Sequence, residues 1–153
     1  MTSSRKPLVL AAFAASMSAA ALFVVSRPAQ GAGDDGPKPV AEIKDVMLAI
    51  NAGDESLVSR LKADFAKDKL DDDGWEVARA RASMIMEAGN VLFGLKPPMG
   101  DDAAWKKHVA EYRGCADQAR EAANKKDAAA GKAALSGLGK RCNECHKDHR
   151  KAE

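Results

Sequence analysis

Residues 139–150 read Gly-Lys-Arg-Cys-Asn-Glu-Cys-His-Lys-Asp-His-Arg, and they hold the chain's densest set of reactive side chains. Cys142, Cys145 and His146 form Cys-x-x-Cys-His, the attachment pattern of a c-type haem. The spacing suits the chemistry: two thiols add across two vinyl groups of one porphyrin, and the adjacent imidazole becomes an axial ligand. On a helix, residues three and four apart share a face, so all three side chains can meet one flat cofactor. With three Cys and three His in 153 residues, the pattern arises by chance in about one chain in a thousand.

Two other chemistries use similar residues. A thioredoxin-like dithiol needs a βαβ setting, and no strand pattern is found along the chain. Zinc could take Cys142, Cys145, His146 and His149, but four ligands on one helical stretch do not easily close a tetrahedron. A metal-bound structural module without haem therefore stands as a rival reading.

The segment from Ala134 to Arg150 resembles the class II c-type cytochromes, the cytochrome c′ family. Their haem motif lies near the C-terminus of a four-helix bundle, as Gly-x-x-Cys-x-x-Cys-His followed, after two further residues, by an aromatic and Arg. Gly139, Cys142, Cys145, His146 and Arg150 match, and His149 stands where the family often has Tyr or Phe. The resemblance extends over residues 39 to 151, resting outside the last helix on helix order and a few positions. It implies one haem c, held covalently through Cys142 and Cys145, with His146 as proximal metal ligand. It also places Arg150 beside the haem, where a guanidinium can pair with a propionate. In the family, the residue facing the open side of the iron comes from the first helix, which makes Met47 the candidate sixth ligand; thioether suits an electron carrier. The competing role for Met47 is core filling.

The elements that must position these residues follow from periodicity. Pro39 suits the first turn of a helix carrying Val40, Ile43, Met47 and Ile50 at helical spacing, with Gly53 as its stop. Asp54 then caps a segment with Leu57, Leu61 and Phe65 on one side, as an extension of the first helix or an excursion after it. Asp73 and Glu76 resemble a capping box, ahead of a helix with Val77, Ala80, Met84, Ala88 and Val91 as its stripe. Pro97 and Pro98 follow its end. Asp101 or Asp102 caps the next helix, whose stripe is Trp105, Val109, Tyr112, Ala116 and Ala119. Asp127 starts the last helix, with Gly131, Leu135, Leu138, Cys142 and Cys145 inward. The expected fold is all-α, an antiparallel four-helix bundle of the cytochrome c′ type. Cys115, at a stripe margin, reads as a small buried hydrophobe, against an intermolecular disulfide. His108 reads as a surface residue, while Met84, Met86 and Met99 read as structural.

Residues 1–31 read as a signal peptide or, since the apolar run from Leu8 to Val25 is long, an N-terminal membrane anchor. Residues 32–38 read as a linker and 39–153 as one monohaem domain. Either leader puts the folded part in the periplasm or otherwise outside the cytoplasm. The leader takes three of 24 basic residues and none of 22 acidic ones, leaving 21 against 22, a charge of −1. Without a basic stripe, nucleic acid is excluded as a partner. Aromatics are few, so a buried porphyrin would supply apolar bulk that side chains do not. No set of acid, base and nucleophile marks an enzyme. The reading is an exported electron carrier serving redox partner proteins. Its alternative is a five-coordinate haem protein that takes NO or CO. Homodimers are common in the family.

Overall fold

Oxygen-bearing side chains set where the long helices of this chain begin. The structure, a computed structural model, describes residues 39–150; the expected leader (1–31) and linker (32–38) lie outside them. A short helix α1 (Ile43–Val46) runs on into a π-helical turn at Met47–Asn51. Four longer helices follow: α2 (Leu57–Ala66), α3 (Asp72–Phe93), α4 (Asp102–Asn124) and α5 (Ala128–His149). Ser56, Asp71, Asp101 and Asp127 each accept a hydrogen bond from the backbone N–H three residues on, at 2.8–3.2 Å. Each satisfies one of the donors that a helix start leaves free.

Two caps differ from expectation, Ser56 replacing Asp54 and Asp71 replacing Asp73. A cap must sit outside the helix in extended backbone. Ser56 (φ −63, ψ 155) and Asp71 (φ −76, ψ 178) do so. Asp72 and Asp73 then fall inside the first turn of α3, where their charges favour the positive end of the helix dipole. Gly53 adopts φ +84, a conformation that suits glycine, and the chain turns there. α2 is thus a separate helix, not a continuation of α1.

The described residues are all-helical, without a strand, as a helical bundle requires. α3 packs along α4 and α4 along α5, while α2 lies against both α3 and α5. The π turn touches α2, and α1 touches α3. Arg81 of α3 pairs with the buried Asp64 of α2, which fixes one helix on the other. Among the described residues, no helix is long and apolar enough to cross a membrane.

The stripe of α4 is buried as its spacing predicts: Trp105, Val109, Tyr112, Ala116 and Ala119. The stripe of α3 is fully buried only at Ala88. Val77 and Met84 are 45% and 54% exposed, and the buried face is Ala78, Ala82, Ile85, Ala88, Gly89 and Leu92. Small residues win this face because they let α4 come close. A Cβ on Gly89 would lie 2.3 Å from Cγ of Arg113. Gly131 works similarly in α5, where a Cβ would lie 2.7 Å from the ring of the fully buried Phe65. Val40, expected on the first helix's inner stripe, precedes α1 and is 98% exposed.

Candidate functional site

The last two turns of α5 carry Cys142, Cys145 and His146, and these residues line one cleft. Met47, at the start of the π turn, lines it too, as do Leu92, Trp105, Val109 and Tyr112. Its cavity volume is about 30 Å³, room for little more than a water and well below that of a cofactor-sized pocket. Two thiols, an imidazole and a thioether thus come together, from two elements about 95 residues apart in sequence, against a largely apolar wall. The donor types suit a haem, although the lining would have to move apart to admit one: Cys142 and Cys145 could tether it, and His146 and Met47 could offer nitrogen and sulfur to its iron.

The π turn matters to how Met47 is held. Ala52 N donates to Met47 O at 2.7 Å, the wider bond of a π turn. Asn51 then sits one turn after Met47, with its Nδ2 3.9 Å from Met47 Sδ. The same amide accepts through Oδ1 from the Tyr112 hydroxyl at 3.0 Å. α4 is thereby tied to the π turn by a chain Tyr112–Asn51–Met47. Asn51 was not visible as a site residue by motif; the usable signal was its i,i+4 spacing from Met47.

Burial shapes the protonation of these groups. It pushes the Cys145 thiol up to about 11, with Cys142 and Asp148 adding to the shift. It also raises Cys142 and Cys115, and it raises Tyr112 despite the opposing bond to Asn51. The thiols are therefore held in their protonated, less nucleophilic form. His146 is lowered, first by burial and then by the Arg150 cation. Its imidazole is thus favoured in the neutral form that can ligate a metal.

The other residues singled out from sequence fall in different places. Arg150 is exposed at the C-cap of α5, outside the lining of the cleft. Cys115 is half-buried and packs against the main core cluster. Met84 is on the surface, Met86 packs against the core, and Met99 is in the α3–α4 loop. His108, expected at the surface, is instead largely covered: its side chain is 13% exposed and it bonds Asp148 at 2.9 Å. It also lines the cleft. His149 is 2% exposed and packs edge-on to Trp105, as an aromatic at that position would. Arg141, not marked by the sequence, lines the cleft while pairing with Glu111 and Glu144.

No family model matches the chain, and neither does any curated protein or solved structure.

Proposed function

We propose that this chain is an exported, monohaem c-type cytochrome that transfers electrons, on a four-helix bundle formed by α2 to α5. The observation that carries the reading is that Met47 lines the same cleft as Cys142, Cys145 and His146. The closed circuit of neighbours, α2 to α3 to α4 to α5 and back to α2, supports the bundle. One bound haem supplies reversible one-electron chemistry. Cys142 and Cys145 would anchor it through thioethers, His146 would hold its proximal side and Met47 its distal side. Leu92, Trp105 and Val109 would keep water from it, which with axial ligation sets a potential. The bonded Tyr112 and Asn51 would orient the thioether. Arg150 would serve a propionate from the helix end. Export is the setting, read from residues 1–31, and the partners are redox proteins.

A second reading draws on the same amide. Asn51 faces Met47 Sδ, and a sulfur held towards Asn51 leaves one side of the iron to NO or CO. The purified protein should exceed the apoprotein mass by one haem and keep its colour through acid-acetone extraction. Colour that extracts freely overturns the c-type reading. Absorption or resonance Raman spectra of wild type and Met47→Leu then separate the two functions. A low-spin spectrum that turns high-spin on substitution supports the carrier, whereas a high-spin spectrum unchanged by it supports the gas binder.

A further inference from the structure

We infer that His108, Asp148 and His149 form a second metal site, for a divalent transition cation such as zinc, beside the cleft and separate from Cys142, Cys145 and His146. Their ligand atoms all lie within 4.8 Å of one another. The side chains come from α4 and from the last turn of α5, the end of a helix dipole that favours a cation.

The protonation of His149 follows from its partner. Nδ1 lies 2.8 Å from the carbonyl of Met99. A carbonyl only accepts, so Nδ1 carries the hydrogen and Nε2 carries a lone pair. That Nε2 is buried without any hydrogen-bond partner, in a side chain of a residue 2% exposed. A buried acceptor left unmatched costs its desolvation. An imidazole whose Nδ1–H is fixed on a backbone carbonyl is also the usual form of a metal-bound histidine. The loop is pressed onto this ring: Gly100 has φ +79, and a Cβ there would lie 2.8 Å from His149 Nδ1.

His108 has the reverse arrangement. Its Nε2 is 2.9 Å from Asp148 Oδ2, while Nδ1 is buried without a hydrogen-bond partner, 3.9 Å from Glu111 Oε2. A cation on Nε2 would replace the hydrogen that Nε2 shares with Asp148 and move the ring to its other tautomer, so that Nδ1–H could donate towards Glu111, the carboxylate–histidine–metal arrangement. Glu111 and Glu144 are already held by Arg141, so they stand as supporting groups and not as competing ligands. Two imidazoles and a carboxylate leave a fourth position to water, a common zinc set. Ligand atoms about a tetrahedral zinc lie roughly 3.3 Å apart, so closure asks for shifts of up to about 1.5 Å.

The test titrates ZnCl2 into the purified full-length protein by calorimetry and follows the histidine ring signals by NMR. One equivalent should bind, shifting the rings of His108 and His149. Asp148→Asn, which alters an exposed side chain and leaves the packing alone, should weaken binding about tenfold or more, and His149→Phe more still. Absence of binding overturns the inference. So does binding that survives both substitutions, or ring shifts confined to His146.

Discussion

The two ends of this helical assembly solve the same problem differently. At one end, Leu61, Phe65, Ala78, Ala82, Ile85 and Ala119 are wholly buried, and the chain fills its own interior. Gly131 yields room for the Phe65 ring, whose neighbour Trp75 lies at a centroid distance of 6.2 Å. At the other end, Val46, Ala88, Leu92, Trp105 and Val109 are buried, but Met47, Ile50 and Cys145 beside them are only half covered. Interiors pack to crystal-like density when side chains alone fill them. The first cluster draws its wholly buried members from α2, α3 and α4. The second keeps an apolar wall, two protonated thiols and a thioether around a cleft. Of the candidate ligands, Met47 and Cys145 pack against the second cluster and Cys142 against the first.

The largest expected effect tests that division. Phe65→Ala should lower stability by about 3–5 kcal/mol, as for a large aromatic removed from a tight core. The check is the denaturant midpoint, with the visible spectrum recorded before unfolding. An unchanged native spectrum supports two ends that act separately, whereas a spectrum altered as much as by Met47→Leu makes them one unit.

Asn51→Ala should act at the cleft. It removes the acceptor of the Tyr112 hydroxyl, and leaving that buried group unpaired costs about 1–3 kcal/mol. If Asn51 also orients Met47, the spectrum or midpoint potential of the protein shifts as well. Tyr112→Phe, which removes the hydroxyl without stranding it, should cost less and shift the spectrum less. Equal stability losses with no spectral change would make Asn51 a packing residue alone.

The smallest effect concerns pH. Cys145 rises from 9.0 to about 11 in the fold, chiefly by burial. The folded chain holds that proton more tightly than the unfolded one, so its contribution is full below about pH 9 and lost as pH rises through about 11. A thioether has no such proton. Denaturant midpoints at pH 8 and pH 10.5 should therefore fall further apart in chain with free thiols than in chain carrying attached haem. Tyr112 acts in the same direction in both forms, from about its ordinary value of 10 upward, so the difference between the forms isolates the two thiols, Cys142 acting in the same direction as Cys145. Identical pH dependence in the two forms would mean that neither Cys142 nor Cys145 is linked to stability.

Much of the helical layout was legible in the residues, and the pattern of misses has a physical cause. The α4 stripe was readable because Trp105, Val109 and Tyr112 are large and regularly spaced. The α3 face was read only at Ala88, because it also buries the small Ala78, Ala82 and Gly89, with Ile85 and Leu92 off the expected spacing. Hydrophobicity ranks Val77 and Met84 above Ala and Gly, whereas close helix approach selects for small size. The caps at Asp101 and Asp127 were readable. Those at Ser56 and Asp71 were displaced, since several adjacent polar residues can each serve and backbone geometry chooses among them.

The sequence by itself determined that Cys142, Cys145 and His146 share a helix face, because a spacing of three or four residues dictates it. It also determined the alternation of long amphipathic helices with short breaks. Only the tertiary structure decided that Met47 lines the same cleft as that face, that Asn51 and Tyr112 reach each other across 61 positions, and that His149 and His108 are covered near Asp148. Those relations depend on how helices cross and on which loops press against them. Such contacts are fixed by packing between distant segments, which local periodicity does not encode.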